Sequence, residues 1–450
     1  MNKKRVAIVC ILISFLSWNL QAQEDSFEKE RLRRTRMDFN RTETEVLQYI
    51  RKYIPDVTDT QIKKWEDEKA LEYLIFDGEK RYFRNAAPNL FRIDSVCRAI
   101  KQAKDITSDE GSLAVNKTHV PEIMEEVRKT GKSVVLPKRM RVKYTLTVKA
   151  DVVPEGKTIR CWLPLPRTDA APRQTEVKLL SASEPDYIIA PDSFVHHTLY
   201  LEKKAVKGKP TTFSTEFEYI SSGEWHRLTP EKVKPYKTDD PLYRKYTAER
   251  ESHIIFTPEI KALAKKLVGD ETNPWRKAQR IYAWVDRNFP WASAREYSTI
   301  PNIPQYVLEN KHGDCGQVSL LFITLARCSG IPAKWQSGFM MHPGLGNLHD
   351  WAQAYFEGIG WVPVDESFGL FSPGKTEEEI YFFANGIDSY RMIVNEDYSG
   401  PLFPEKKFPR SETVDFQRGE VEWEGGNLYF NQWNYDFDIT YLTDELRQIE

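Results

Sequence analysis

The spacing of apolar and polar positions changes texture three times along the chain. Residues 24–70 are charged and repeat their apolar side chains at helical intervals, as in "FEKERLRRTRMDFNRTETEVLQYIRKYI", which predicts amphipathic helices. "LEYLIFDGEKRYF" then sets Asp77 and Gly78 between two apolar-aromatic runs, a two-residue hairpin signal. "SVCRAIKQAKD" returns to helical spacing and places Cys97 among apolar neighbours, where a thiol serves as core. Residues 24–133 are therefore expected to form a mostly helical module.

From Val134 the period shortens to two. "RVKYTLTVKA" puts Val142, Tyr144, Leu146 and Val148 on one face, and "TTFSTEFEYI" does the same with Phe213, Phe217 and Tyr219. Between them lie "TIRCWLPLP", "TEVKLLSA" and "FVHHTLYLE", separated by Pro, Gly and Asp clusters. Short alternating strands at this spacing predict a β-sandwich of about seven strands over residues 134–222. Cys161 falls in one of these strands as a packing thiol. His196 and His197 are adjacent in another, so they point to opposite faces and do not share a metal. Residues 223–254 are polar and Pro-bearing, which predicts a connector.

Amphipathic helices resume in "TPEIKALAKKLVGD" and "NPWRKAQRIYAWVDRNF", the second opened by Asn273 as N-cap and Pro274 at the first helical position. After Cys315, the positions Val318, Leu321, Phe322, Leu325 and Ala326 outline a buried helix that stops at Gly330, with Pro332 beyond. "AKWQSGFMM" follows as a strand, "HPGLGNL" as a turn, "HDWAQAYF" as a strand, "EGIG" as a reversal and "WVPVDES" as another strand. With residues 357–360 as the loop, His349 falls opposite a position near 368. Asp365 stops a few residues short of it on the neighbouring strand, within reach of the imidazole.

These placements raise one chemical question, whether Cys315 is a packing residue or a nucleophile. A thiol at a helix N-terminus meets unpaired N–H groups and the positive end of the dipole, which lowers its pKa. A paired imidazole lowers it further. Gly313 and Gly316 keep the backbone open to a substrate carbonyl, and the Cys315 N–H can serve an oxyanion hole. A carboxylate on the other imidazole nitrogen fixes tautomer and orientation. Cys328, at the far end of the same helix, is the internal comparison and is expected to be inert.

Composition narrows the field. The chain has 450 residues, 40% hydrophobic, with a net charge of −2, which excludes the basic excess of a nucleic-acid binder. Lys3, Lys4 and Arg5 precede an apolar run from Val6 to Trp18, with Ala22 near a plausible cut. Residues 1–23 thus read as a signal peptide, since about 13 apolar residues fall short of the roughly 20 needed to span a bilayer. Export to the periplasm or beyond is the expectation, with no transmembrane segment in the mature chain. Cys10 lies inside the apolar run, which argues against a lipoprotein anchor. Cys97, Cys161, Cys315 and Cys328 are too scattered for a disulfide scaffold or a zinc site. No EF-hand loop is present, and no metal or other cofactor is expected.

"GDCGQVSLLFITLARCSGIPAKWQSGF" and "HDWAQAYFEGIGWVPVDESFG" resemble the core of the transglutaminase-like superfamily over about residues 255–369. The resemblance implies an α+β chain with a papain-like transglutaminase core at 255–400, its cysteine-bearing helix packed on an antiparallel sheet. It also implies a triad in the order Cys, His, Asp, filled here by Cys315, His349 and Asp365. "FQRGEVEWEGGNLYFNQWNYDFDI" resembles the β tail of some secreted bacterial members, so residues 401–450 are expected to pack on the core. Family members can draw a further oxyanion donor from upstream of the cysteine, and Trp291 and Tyr297 are both candidates. Trp335, Trp351, Trp361 and Phe339 read as core aromatics, with groove lining as the alternative. His342 reads as a solvated turn residue, with gating of the site as the alternative. The implied function is an exported thiol hydrolase that cleaves amide or peptide bonds through an acyl-enzyme. Its substrate would be a peptide or protein amide, with cell-wall or glycan association in view. Two alternatives stand beside it: a protein-crosslinking acyltransferase with an amine acceptor, and a non-catalytic binding or scaffold module on the same fold.

Overall fold

The computed structural model describes residues 27–105 and 111–442; the expected signal peptide at 1–23 lies outside them. The chain divides into two compact units. One holds the described residues up to Lys104 together with Ser293–Pro301, and the other holds the rest.

In the first unit, helices Glu43–Arg51 and Asp59–Asp67 each open on a capping box, Thr42 with Glu45 and Thr58 with Gln61. Strands Tyr73–Phe76 and Glu79–Tyr82 close with Phe76 opposite Glu79. Their turn residues Asp77 and Gly78 both take positive φ, 52° and 84°, the twist that a two-residue hairpin needs. Cys97 is buried beside Ile50, Leu71, Tyr82 and Leu90. The borrowed segment is tied in through Glu296, which pairs with Arg84 at 3.0 Å and donates its backbone N–H to Asp38 Oδ2 at 2.8 Å.

The second unit contains the expected sandwich as two five-stranded sheets. In the first, Val134–Val148 runs between Thr211–Trp225 and Trp433–Tyr441, while Gln174–Ala182 and the short Gly386–Ile387 also pair with Thr211–Trp225. The second runs Gly426–Leu428, Glu420–Trp423, Thr158–Pro164, Thr198–Lys204 and Tyr187–Ile189. The 134–222 span thus supplies six strands and later sequence supplies the others. The tail joins the sandwich by backbone pairing and the core by side chains. The Tyr441 hydroxyl donates to the Met341 carbonyl at 2.9 Å, and the Phe437 ring lies edge-on to Phe339. Period-two positions Val142, Tyr144, Leu146, Phe213 and Phe217 all face inward, in one hydrophobic cluster that continues through Phe339, Met392 and Val394. His196 and His197 are structural: His196 Nδ1 lies 2.7 Å from the Asn395 amide oxygen, and His197 Nδ1 lies 2.9 Å from the Pro166 carbonyl.

Helices α1 (Pro258–Val268), α2 (Pro274–Asn288), α3 (Ile303–Asn310) and α4 (Cys315–Cys328) pack with the remaining sheet. The strands are β1 (Ala333–Met340), β2 (Asn347–Phe356), β3 (Gly360–Val364) and β4 (Arg391–Glu396), all antiparallel, in the spatial order β3-β2-β1-β4. Asn273 caps α2 by accepting the N–H groups of Trp275 and Arg276. Every residue of α4 from Gly316 to Arg327 is buried, as befits a helix held between a sheet and other helices. The fold is α+β, with the cysteine-bearing helix on an antiparallel sheet. Among the described residues no helix is long and apolar enough to cross a membrane.

Candidate active site

Strands β2 and β3 pair from Phe356–Gly360 to Ala352–Val364. The loop is one residue tighter than the sequence suggested, and Asp365 is the first residue past the ladder. That position brings its carboxylate to the imidazole: His349 Nε2 lies 2.8 Å from Asp365 Oδ2. Asp365 is held from every side. Ser367 donates its hydroxyl and backbone N–H to Oδ1 at 3.1 and 3.3 Å, and the Tyr282 hydroxyl lies 2.9 Å from the Asp365 carbonyl oxygen.

Arg391 extends the network. Its Nη1 lies 3.0 Å from Asp365 Oδ2 and its Nη2 2.6 Å from Asp388 Oδ2. Asp388 in turn meets His342 Nε2 at 3.1 Å. His342, Asp365, Asp388 and Arg391 expose nothing to solvent, so His342 is a fully buried partner of Asp388, not a solvated turn residue. Burial raises the Asp365 pKa, but His349 and Arg391 outweigh it and leave the carboxyl below its ordinary value. For His349 burial comes first and lowers the pKa, Asp365 opposes, and Arg391 adds to the lowering. The resting imidazole is neutral at physiological pH.

Cys315 is the first residue of α4, as the sequence predicted. Asp314 is the N-cap, in a capping box whose carboxylate accepts the Gln317 N–H at 3.1 Å while the Gln317 side chain accepts the Asp314 N–H at 3.2 Å. A Cβ at Gly313 would stand 3.1 Å from Gln317 Cβ, so the glycine lets the chain enter this turn without displacing the box. The surroundings of the thiol run against the acidification that a helix N-terminus suggested. Burial, followed by the charges of Asp350 and Asp314, pushes the Cys315 thiol well above its ordinary value. The physical reason is that the positive helix end is already matched by Asp314, and the thiol's hydrogen bond goes to Asp350 Oδ2 at 3.6 Å rather than to the imidazole. The structure thus joins His349 to Asp365 directly and places Cys315 against the residue that follows His349.

A family model described as the transglutaminase-like superfamily matches residues 261–366, which span α4, β2, β3 and all three of these residues. This core is transglutaminase-like. An uncharacterised protein of Haemophilus influenzae is 25% identical over 256 residues, half of this chain and 68% of that one. The uncharacterised YebA of Bacillus subtilis is 27% identical over 135 residues, 26% of this chain and 18% of that one. Among solved structures, a Cytophaga hutchinsonii protein provisionally assigned as a cysteine protease aligns with TM-score 0.44 at 15% identity, covering 69% of this chain and 92% of that one. The periplasmic domain of TgpA from Pseudomonas aeruginosa aligns with TM-score 0.28 at 14% identity, covering 54% and 91%.

Within the transglutaminase-like core, the two upstream aromatic candidates separate. Trp291 forms a parallel bridge with Gly313, two residues before Cys315, and the residue is 46% exposed. Tyr297 belongs to the 3-10 turn Tyr297–Thr299 of the segment grouped with the first unit. Trp335, Trp351 and Phe339 are fully buried and serve as core. Trp361 is half-buried and lines a cavity of about 390 Å³ with Arg173, Lys334 and Glu396. Cys328 is half-buried, and burial raises its pKa. Sequence reasoning missed Arg391, Asp388, Gln417 and Asp350. The first three lie far along the chain from the residues they support. Asp350 stood in plain view inside "HDW", and an acid in a strand with buried neighbours was the signal that pointed to it.

Proposed function

We propose that this chain is an exported thiol hydrolase of the transglutaminase-like kind, cleaving amide or peptide bonds with Cys315 as nucleophile, His349 as base then acid, and Asp365 as the orienting carboxylate. The single observation that carries the reading is the 2.8 Å His349 Nε2–Asp365 Oδ2 bond on the strands beside the helix that Cys315 opens. With Nε2 committed to Asp365, Nδ1 is the nitrogen left to take the thiol proton.

The resting thiol and imidazole are both uncharged, so the proton moves as the bond forms. Sγ attacks the substrate carbonyl while Nδ1 accepts its hydrogen. The imidazolium, stabilised by Asp365, returns that proton to the departing amine. A thioester remains on Cys315, and water activated by the same imidazole releases the acid. Peptide or protein amides, cell-wall stem peptides among them, are the proposed substrates. Residues 1–23 support export, and N-terminal sequencing of the mature chain from fractionated cells tests it.

A non-catalytic binding role is the second reading, favoured by the carboxylates that hold the thiol proton in place. Incubation with fluorogenic peptide amides separates the two. Cleavage that disappears in Cys315→Ser is the expected result, and full cleavage by that variant would falsify the assignment. Incorporation of a labelled amine in place of water would make the chain a crosslinking acyltransferase.

A further inference from the structure

The half-buried Cys315 thiol lies against the buried Asp350 carboxyl, Sγ 3.6 Å from Oδ2. Asp350 is held in place by Gln417, whose Nε2 donates to Asp350 Oδ1 at 2.8 Å and also lies 2.9 and 3.0 Å from the carbonyls of Gly338 and His349. Gln417 is itself fixed, since its backbone N–H donates to Glu412 at 2.7 Å and its carbonyl accepts the Tyr144 hydroxyl at 3.1 Å. The carboxyl therefore keeps one oxygen on an amide and aims the other at sulfur.

The ionisable groups around the pair are mostly acidic. Asp314 faces it from the start of α4, and Asp365 acts on the thiol from the end of β3. Asp415 and Glu412 act on Asp350 from the C-terminal segment, where Arg410 and Arg418 offset Asp415. His349 precedes Asp350 on β2. Two negative charges on adjacent atoms are not supported in such surroundings. Loss of the thiol proton therefore requires that Asp350 hold one.

We propose that Asp350 is a positioning residue that keeps Cys315 protonated in the resting protein and sets the pH at which the thiol becomes a nucleophile. The proton balance is simple. With Asp350 ionised, S–H donates to Oδ2 and the thiol is silent. With Asp350 protonated, Oδ2–H donates to sulfur and the thiol proton is free to pass to His349. The inference rests on the hydrolase reading for its meaning in catalysis, while its test needs only the thiol.

Alkylation of the folded protein by iodoacetamide from pH 5 to 10, read at each cysteine by mass spectrometry, provides that test. In Asp350→Asn the Gln417 bond survives, the carboxylate charge is gone, and an N–H points at sulfur. The midpoint for Cys315 should fall by at least one pH unit, about a tenfold faster reaction at pH 7. Cys97 and Cys161 should not move, and Asp350→Glu should keep the wild-type midpoint. An unmoved midpoint in Asp350→Asn overturns the proposal. If that variant does not fold, Asp350→Ala decides: a Cys315 midpoint lowered from wild type supports the proposal, and an unmoved one overturns it. A shifted midpoint in a protein that cleaves no amide leaves Asp350 established and removes the hydrolase reading instead.

Discussion

Asp365 and Asp350 are both buried, and both lie at the same short hairpin, yet their carboxyls shift in opposite directions. Asp365 sits among His349, Arg391 and Ser367, and its carboxyl falls below the ordinary range. Asp350 meets a thiol and an amide amid the carboxylates of Asp415 and Asp314, and its carboxyl rises well above that range. Desolvation is the first cause for both, so what faces each group decides the sign. The surroundings of Asp365 favour its charge, and those of Asp350 make a charge costly.

The strongest way to break the comparison is to remove the cation. Arg391→Met leaves Asp365 and Asp388 as buried, uncompensated charges and should cost about 3–5 kcal/mol, read as a lowered urea midpoint. If stability is unchanged, the charges of Asp365 and Asp388 are not held by Arg391.

Exchanging each carboxylate for its amide sharpens the contrast. Asp365→Asn should destabilise by about 1–3 kcal/mol and lower kcat by two to four orders of magnitude, on the order seen when a triad carboxylate is lost. Asp350→Asn should instead raise stability at pH 7 by roughly 1 kcal/mol. The pH dependence follows from the two directions. Asp365 binds its proton less tightly when folded, so its contribution is full above about pH 4 and is lost as pH falls through the folded value. Asp350 binds its proton more tightly when folded, so it costs stability above about pH 4, and the cost disappears below that. Melting curves of both variants against wild type should therefore diverge in opposite senses at pH 7 and converge toward pH 3. Divergence in the same sense would show that geometry, not charge, separates the two sites.

The smallest effect belongs to the backbone that carries Asp365. Tyr282→Phe removes the hydroxyl that lies 2.9 and 2.8 Å from the carbonyls of Asp365 and Gly369. It should cost about 1 kcal/mol by thermal melting, with no change in the Cys315 alkylation midpoint. A shifted midpoint would mean that the two carboxylate sites are coupled.

Local signals carried much of this into the sequence. Asp77-Gly78 named its hairpin because both residues accept positive φ, and Gly330 with Pro332 named the end of α4. The β2–β3 register was legible to within one residue. It missed because Gly360, with φ of 111°, pairs with Phe356 as part of the strand, which leaves three loop residues where four were expected. His349 and Asp365 could be linked because a hairpin keeps its partners close in sequence. Arg391, Asp388 and Gln417 could not, since nothing local requires a lone polar residue to meet a carboxylate dozens of positions away. The thiol's protonation was misread for a related reason. A helix N-terminus is visible in sequence, whereas the carboxylates gathered around it come from α4, β2, β3 and the C-terminal segment.

The strand Trp433–Tyr441 pairs along Val134–Val148 from Trp433–Val148 to Tyr441–Met140, and Gln417 reaches Asp350 across 67 positions of sequence. During synthesis, Val134–Val148 thus waits with a bare edge for its late partner, and Asp350 is made well before the amide that orients it. A ribosome-bound chain that has emerged only through β4 already carries Cys315, His349 and Asp365, but not the clamp on Asp350. Whatever restraint Asp350 places on the thiol is therefore completed late, after the reactive groups themselves are in the chain.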